Sequence, residues 1–485
     1  MKVVSKFATL YRNITTCFVV FQSGFTMKKP PVSRRTFLGT AAASTFGAMV
    51  LPRHVLGGPG FRAPSDTLNI AAIGAGGMGA SNMVQLTSQN IVAICDPDDN
   101  RVHGSLHNRD GGVREGREAL KAAYGKAKKY VDYRRMLDKQ KDIDAVVIAA
   151  PDHHHAPAAA QAMRLGIHTY IQKPLTYTVH EARVLNKLAA ENNIVAAMGN
   201  QGHSDDDGRR LLEWIWAGAL GTVTEVHIWT NRPIWPQGVD RPEGSQPVPK
   251  GLDWDIWQGP AQTVPYNEAY VPFGWRGWTA YGTGALGDMG AHLVDHAYWA
   301  LDLDAPTSIE ASGSPYGKDY VSFPRASIAH YEFAKGGRTP IKMTWYDGGL
   351  LPGRPPVMPA DAEINPTGGA MLIGDKGVAV YDTYGHNPRL FPQHLEEEYA
   401  NVPQSLHRIQ TSHEMCWANA CMGIGEASSP ISYAAPLTET MLLGMAALRN
   451  GYGKKLYWDA DKGQFTNDDN ANQYLHYEYR SGWEL

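Results

Sequence analysis

Between residues 282 and 296 the chain reads Gly-Thr-Gly-Ala-Leu-Gly-Asp-Met-Gly-Ala-His-Leu-Val-Asp-His. Asp288 and His292 stand four apart and Asp295 three further, so on a helix all three share a face. A neutral His beside a carboxylate is suited to taking a proton from an alcohol near neutral pH, and the carboxylate stabilises the imidazolium that forms. The same spacing also fits a structural His with a helix-capping Asp, so the rest of the chain must decide between the two.

What decides is an upstream stretch. Leu68–Ile73 is mostly apolar and reads as a buried strand, followed by Gly74-Ala75-Gly76-Gly77-Met78-Gly79 and a helix beginning near Ala80. Gly74 and Gly76 let the backbone turn tightly and approach a pyrophosphate, and Gly79 lets helix and strand pack closely. The helix N-terminus would face the phosphates. A second strand, Ile91–Cys95, ends in Asp96, at the distance where an acid accepts hydrogen bonds from the ribose hydroxyls of NAD and repels the 2′-phosphate of NADP. A structural glycine turn beside a solvated acid is the alternative. With a dinucleotide domain present, the 282–296 segment reads as a proton relay, and the glycines at 284, 287 and 290 would let its helix lie against the nicotinamide.

Strands and helices alternate from Leu68 to Met198, which predicts one doubly wound domain. Its later strands run at 143–150, 167–171 and 194–198, and Thr178-Val179-His180-Glu181 has capping-box spacing for a helix reaching about Asn192. Ligands of such sheets bind beyond the carboxyl ends of the strands, where Gly74, Gly77, Met78, Asp96, Pro151, His155, Lys173 and Asn200 fall. The second half differs. An amphipathic helix at 211–216 precedes a strand at 222–230, a Pro- and Trp-rich stretch from Arg232 to Trp278, a helix at 288–301 and strands at 327–333, 341–346 and 378–381. These predict an open, mainly antiparallel sheet with helices on one face. The boundaries are 1–65 for signal and linker, 66–200 for the nucleotide domain and 201–485 for a substrate and oligomerisation domain.

Of the 13 Trp, nine lie between Trp214 and Trp299. Flat aromatic faces suit sugar rings, and Trp235, Trp275 and Trp278, set among Pro and Gly, are the candidates for substrate contact; core packing is the alternative for each. His153-His154-His155, like the Asp288 group, has metal-ligating side chains, but no Cys or Glu cluster completes a site, so no metal is expected.

The 485 residues carry 45 Lys+Arg against 48 Asp+Glu. That balance points neither to nucleic acid nor to an anionic membrane, and no apolar run of about 18 residues suggests a spanning helix. Ser33-Arg34-Arg35-Thr36-Phe37-Leu38 before a mild Ala, Gly, Ser and Thr stretch resembles a twin-arginine export signal, with Met27 as the expected initiator and the periplasm as destination. Past the signal, Cys95, Cys416 and Cys421 form no disulfide framework.

The glycine fingerprint, the Pro151-Asp152 turn with His155, the Lys173-Pro174 pair and the Asp288/His292/Asp295 helix together resemble the glucose-fructose oxidoreductase, inositol dehydrogenase and MocA (Gfo/Idh/MocA) family, over roughly residues 66 to 460. The resemblance implies a Rossmann domain plus an α/β domain with an open sheet that carries the substrate site and often an oligomer contact. It implies that Lys173, from a Glu-Lys-Pro motif, bridges cofactor and substrate hydroxyl while Asp288 and His292 assist proton transfer. Gln172 replaces the family's Glu, and a Lys without a neighbouring acid holds its proton less tightly. The expected activity is hydride transfer between a sugar or glycoside ring carbon and a tightly bound NAD, with NADP less suited. The alternative is an NAD-dependent glycoside hydrolase working by oxidation, elimination and reduction; a third reading is a carbohydrate-binding protein without turnover.

Overall fold

The computed structural model describes residues 67–485 apart from 316–319, 335, 336 and 338. The export signal and the expected start at Met27 lie outside the described residues. Short apolar runs form β1 (Asn69–Ile73), β2 (Asn90–Cys95), β3 (Lys128–Tyr130), β4 (Ala145–Ile148), β5 (His168–Gln172) and β6 (Ala196–Gly199). They pair in parallel in the order β3-β2-β1-β4-β5-β6. The central strands carry apolar residues on both faces because helices cover both sides; β4 is buried at every position. Strand order reverses between β1 and β4, which opens a crevice at their carboxyl ends.

The helices of this domain follow local signals. In α1 (Met78–Gln85) no side chain caps the N-terminus and the first turn holds no acid, so its amides remain available to an anion. Helix α2 (Asp99–Leu106) starts at Asp98, whose carboxylate accepts from the amides of Asn100 and Arg101. Helix α3 (Asp152–Arg164) carries the three histidines in its first turn. Helix α4 (Val179–Glu191) has the expected capping box: Thr178 accepts from the Glu181 amide and Glu181 from the Thr178 amide, an arrangement worth about 1 kcal/mol.

The second sheet contains β7 (Val223–Thr230), β8 (Ser308–Gly313), β9 (Ser327–Phe333), β10 (Ile341–Tyr346), β11 (Gly368–Gly374), β12 (Val378–Asp382), β13 (Arg389–Phe391), β14 (Leu456–Asp459) and β15 (Gln464–Phe465). Among the described residues its order is β13-β12-β11-β7-β10-β9-β8-β14-β15. Only the β7–β10 pair is parallel, so the sheet is mixed and mostly antiparallel. Against it pack α5 (Gly284–Leu293) and α6 (Asp295–Ala300), separated at Val294.

The boundary near residue 200 is not a clean cut. Helix α7 (His413–Cys421) returns to the nucleotide domain, where Trp417, Ala418 and Cys421 join the core beside Tyr170 and Ala197, and Pro430 bridges to Ala197 on the edge of β6. Helix α8 (Ile431–Asn450) then lies between α4 and α5, tied to α4 by the Arg183–Glu439 pair at 2.6 Å. By length and composition α8 could cross a membrane, but 83% of its apolar window is buried inside the molecule. Sequence periodicity cannot separate a helix buried all round from one that leaves the protein.

Candidate active site

At the crevice above β1 and β4 lies a cleft lined by Gly74, Gly76, Gly77, Met78, Asp96, Pro151, His155 and Lys173. Trp275 and Arg276 also line it. The glycine turn needs its glycines. Gly74 has φ +79° and a Cβ there would sit 2.6 Å from the Ala149 carbonyl carbon; on Gly79 a Cβ would fall 1.8 Å from the Gly74 carbonyl oxygen. Gly79 therefore acts beneath the turn, not in the cleft. The residues fit a dinucleotide: a concave turn free of side chains leads into an uncapped helix N-terminus, an arrangement that binds a pyrophosphate.

Asp96 stands at the tip of β2, accepting from the Gly76 amide and the Asp98 amide at 3.0 Å each. Burial pushes its carboxyl up to about 6, against these amide hydrogen bonds. At neutral pH it stays an anion, braces the glycine loop and keeps lone pairs directed to the cleft. Asn200, at the end of β6, does not reach the cleft lining. It is 1% exposed, and its side-chain amide atoms have no hydrogen-bond partner among the described residues.

Lys173 extends from the end of β5 across the domain interface. Its ammonium donates to the Asp288 carboxylate and to the Asp288 carbonyl, both at 2.9 Å. Arg276 donates through Nε to the same carboxylate oxygen at 3.0 Å. Burial alone would raise the Asp288 carboxyl, but Lys173 and Arg276 hold it well below the usual carboxylate range. Lys173, which lacks the adjacent Glu in sequence, has an acidic partner in space: Asp288 supplies it from the other domain. Gln172 serves another purpose. Its side-chain oxygen accepts from the Lys173 amide, and its nitrogen donates to Asn82, which donates to Glu414 on α7. A neutral chain of amides therefore orients the strand end, with its negative charge displaced to Glu414.

His292 lies one turn further along α5, about 6 Å from Asp288 by helix geometry. It is 4% exposed, meets the Tyr384 ring edge-on at 4.5 Å, and its Nδ1 has no partner. Burial first, and the Lys173 charge second, push it down to about 3, so it is neutral at physiological pH.

Asp295 does not belong to this cluster. It shares the helical face but lies about 10 Å along the axis from Asp288, beyond the break at Val294. Its carboxylate is 3.0 Å from His203 Nδ1 and accepts from Tyr433 at 2.7 Å, and it is 1% exposed. It is a structural group under the site, which corrects its expected substrate contact. Glycines 287 and 290 likewise face Thr283 and Met441, while Gly284 faces Phe323, and none of them borders the cleft.

Of the three tryptophans singled out, only Trp275 lines the cleft. Trp278 packs edge-on against Tyr270 at 5.2 Å and donates to the Ala269 carbonyl. Trp235 is 5% exposed and donates to Gln237. The long loop builds its own aromatic core from Trp254, Trp257, Tyr270 and Tyr281, seated on His153. The histidines serve that packing. His153 and His154 meet the backbone carbonyls of Gln258 and Trp257, and His155 those of Pro174 and Ala150 at 2.8 Å. Burial lowers all three, His154 to about 4.

Sequence reasoning missed Arg276 and Tyr384. Arg276 sits within Trp275-Arg276-Gly277-Trp278, where the aromatics drew attention and the cation did not. Tyr384 comes from a turn after β12, about ninety residues beyond His292, with φ +70°, and no local signal marks it.

Residues 68–200 match a family model described as an oxidoreductase family with an NAD-binding Rossmann fold. Residues 217–341 match the corresponding C-terminal alpha/beta domain. The chain belongs to the Gfo/Idh/MocA family of oxidoreductases. Its nucleotide domain is the family's NAD-binding domain, which agrees with the uncapped glycine turn and with Asp96.

Among curated relatives of this Gfo/Idh/MocA chain, a glycosyl hydrolase family 109 protein of Shewanella baltica (strain OS195) is 31% identical over 170 residues, which is 31% of this chain and 35% of the relative. D-glucoside 3-dehydrogenase of Escherichia coli (strain K12) is 25% identical over 251 residues, 51% of this chain and 58% of the relative. The chain thus spans between about a third and somewhat more than half the length of these two relatives. The WlbA dehydrogenase of Bordetella pertussis, solved with NADH and UDP-GlcNAcA, has a TM-score of 0.54 at 15% identity, covering 81% of this chain and 99% of that one. An inositol dehydrogenase homologue of Azotobacter vinelandii with NAD+ has a TM-score of 0.53 at 16% identity, with coverage of 81% and 97%. These two establish likeness of fold.

Proposed function

We propose that this chain oxidises or reduces a ring carbon of a sugar or glycoside using a tightly held NAD, after export to the periplasm by the twin-arginine route. The observation that carries the reading is the Lys173–Asp288–Arg276 cluster at the mouth of the nucleotide cleft, with neutral His292 one turn deeper. Bound NAD supplies the hydride acceptor or donor. Lys173, fixed by Asp288, positions the reacting hydroxyl; His292 holds or takes its proton, and Asp288 stabilises the imidazolium. Trp275 lines the cleft and offers an aromatic face to a sugar ring.

The test is direct. Denaturing the purified folded protein is expected to release NAD, identified by mass, and adding methyl glycosides to the folded protein is expected to produce reduced nicotinamide by absorbance. Absence of nucleotide, together with no reduction when NAD is supplied, overturns the reading in favour of carbohydrate binding without turnover.

The match to glycosyl hydrolase family 109 proteins favours a second reading, in which oxidation acidifies a neighbouring C–H, elimination breaks the glycosidic bond and reduction restores the ring. Release of an aglycone without net reduction of NAD distinguishes it.

Export rests on Arg34-Arg35 and their flanking residues. Arg34→Lys with Arg35→Lys is expected to retain the enzyme in the cytoplasm, and removal of residues 1 to 26 to leave export intact, both read by cell fractionation. Periplasmic accumulation of the double variant refutes this route. We also place a homo-oligomer contact on the outer face of the second sheet, where His227, Thr344 and His330 are cross-strand neighbours.

A further inference from the structure

Arg276 is an unusual cation for a sugar site because only part of it is used. Its Nε donates to the Asp288 carboxylate at 3.0 Å, and its two terminal amino groups have no hydrogen-bond partner among the described residues. The guanidinium lies over the Trp275 ring at 4.3 Å and near the Phe273 ring at 5.2 Å, so its plane is held by aromatic surface. The side chain is 23% exposed and lines the cleft. A guanidinium in this state presents a flat, preorganised pair of donors, the shape that matches a carboxylate.

The charge around it agrees. Lys173 and Arg276 bring two positive charges to one ionised partner, Asp288. Asp152 also borders the cleft, but one of its oxygens is engaged by the Thr283 amide and hydroxyl. His292 is pushed down to about 3, by burial first, and stays neutral. With Asp288 already shared between Lys173 and the Arg276 Nε, the terminal donors of Arg276 remain open to the cleft, where a carboxylate gains more from them than a neutral hydroxyl does.

We infer that the substrate is an acidic sugar, a uronic acid or its glycoside, whose carboxylate is bound by the free end of Arg276 while Lys173 and His292 address the reacting ring hydroxyl. This rests on the oxidoreductase reading above and narrows its substrate class. Arg276 is then a specificity residue as well as a positioning residue for Asp288.

The experiment compares methyl glycosides of neutral hexoses with those of the matching uronic acids, in the gluco, galacto and manno series, on the purified holoenzyme. Binding is read by titration calorimetry and chemistry by single-turnover reduction of the bound nicotinamide. In at least one series the uronide is expected to bind about ten- to hundredfold tighter than its neutral counterpart, as for hydrogen bonds to a charged group, with the advantage shrinking in high salt. Arg276→Gln slows both substrates through Asp288 but brings the binding ratio close to one; Arg276→Lys keeps the charge and part of the ratio. Reduction by neutral glycosides without a uronide advantage in any series overturns the inference and leaves the oxidoreductase reading standing. A uronide advantage that survives Arg276→Gln removes Arg276 from the assignment, and tighter binding of sugar 6-phosphates than of uronides replaces carboxylate by phosphate. Neither binding nor reduction with any sugar overturns the oxidoreductase reading and this inference together.

Discussion

Replacing Lys173 with Met is expected to slow single-turnover reduction of the bound nicotinamide by roughly two to four orders of magnitude while nucleotide stays bound. The ammonium is the group that reaches from the nucleotide domain to the substrate helix, at 2.9 Å from Asp288. Met has similar length and no charge, so it keeps the packing and removes both the anchor for the reacting hydroxyl and a neighbour of the buried carboxylate. Removing one partner of a buried ion pair ordinarily costs about 3–5 kcal/mol. Here the loss should be smaller because Arg276 still pairs with Asp288. The sign with pH follows from Asp288. A carboxyl held below its unfolded value of about 4 contributes stability above that value and loses it as pH falls. Lys173→Met should therefore lower the melting temperature at neutral pH and converge on the parent in strong acid. A near-parental reduction rate with bound nucleotide refutes the assignment of Lys173.

The second large effect belongs to His292. His292→Ala should also cost roughly two to four orders of magnitude in hydride transfer, with nucleotide retained, because it removes the neutral base that stands one turn from Asp288. The pH profile separates this from general damage. Burial and the Lys173 charge place His292 near 3, so it is already neutral at pH 5 and the parent's single-turnover rate should stay level from pH 8 to pH 5. An acid limb near 6.5, the ordinary histidine value, contradicts that environment. For stability the sign is opposite to that of Asp288. A His whose folded value is depressed binds fewer protons in the native state between about 3 and 6.5, so the fold loses stability as pH drops through that window. His292→Ala relieves this penalty and should show a smaller loss of melting temperature between pH 6.5 and pH 4. A near-parental rate for the variant transfers the proton acceptor role to Lys173.

Local chemistry was enough to read the nucleotide domain. A strand, a glycine turn and a helix are consecutive in the chain, and the clash that demands Gly79 is with the Gly74 carbonyl five residues before it, whereas the one that demands Gly74 comes from Ala149, just past β4. The capping box at Thr178–Glu181, the strand ends that carry Asp96 and Lys173, and the pairing of a family motif with an Asp/His helix are likewise set by short spacings and backbone sterics. Sequence alone therefore determined the fold class, the cofactor class and the identity of Lys173, Asp288 and His292 as the residues to examine.

Tertiary structure decided which of these residues meet. Lys173 and Asp288 are 115 residues apart and lie on different domains, so no spacing rule could show that Asp288 supplies the acid missing at Gln172. Periodicity gave Asp295 the right face but was blind to depth: about 10 Å further along the axis than Asp288 and past the break at Val294, it is buried against His203. Composition could not tell Trp275, which reaches the cleft, from Trp278, which does not, because both belong to one aromatic cluster and only packing sets one of them at its wall. The free end of Arg276 was equally hidden. What makes it a binding group is the absence of partners around its terminal nitrogens, and that is a property of the folded surroundings rather than of the residue.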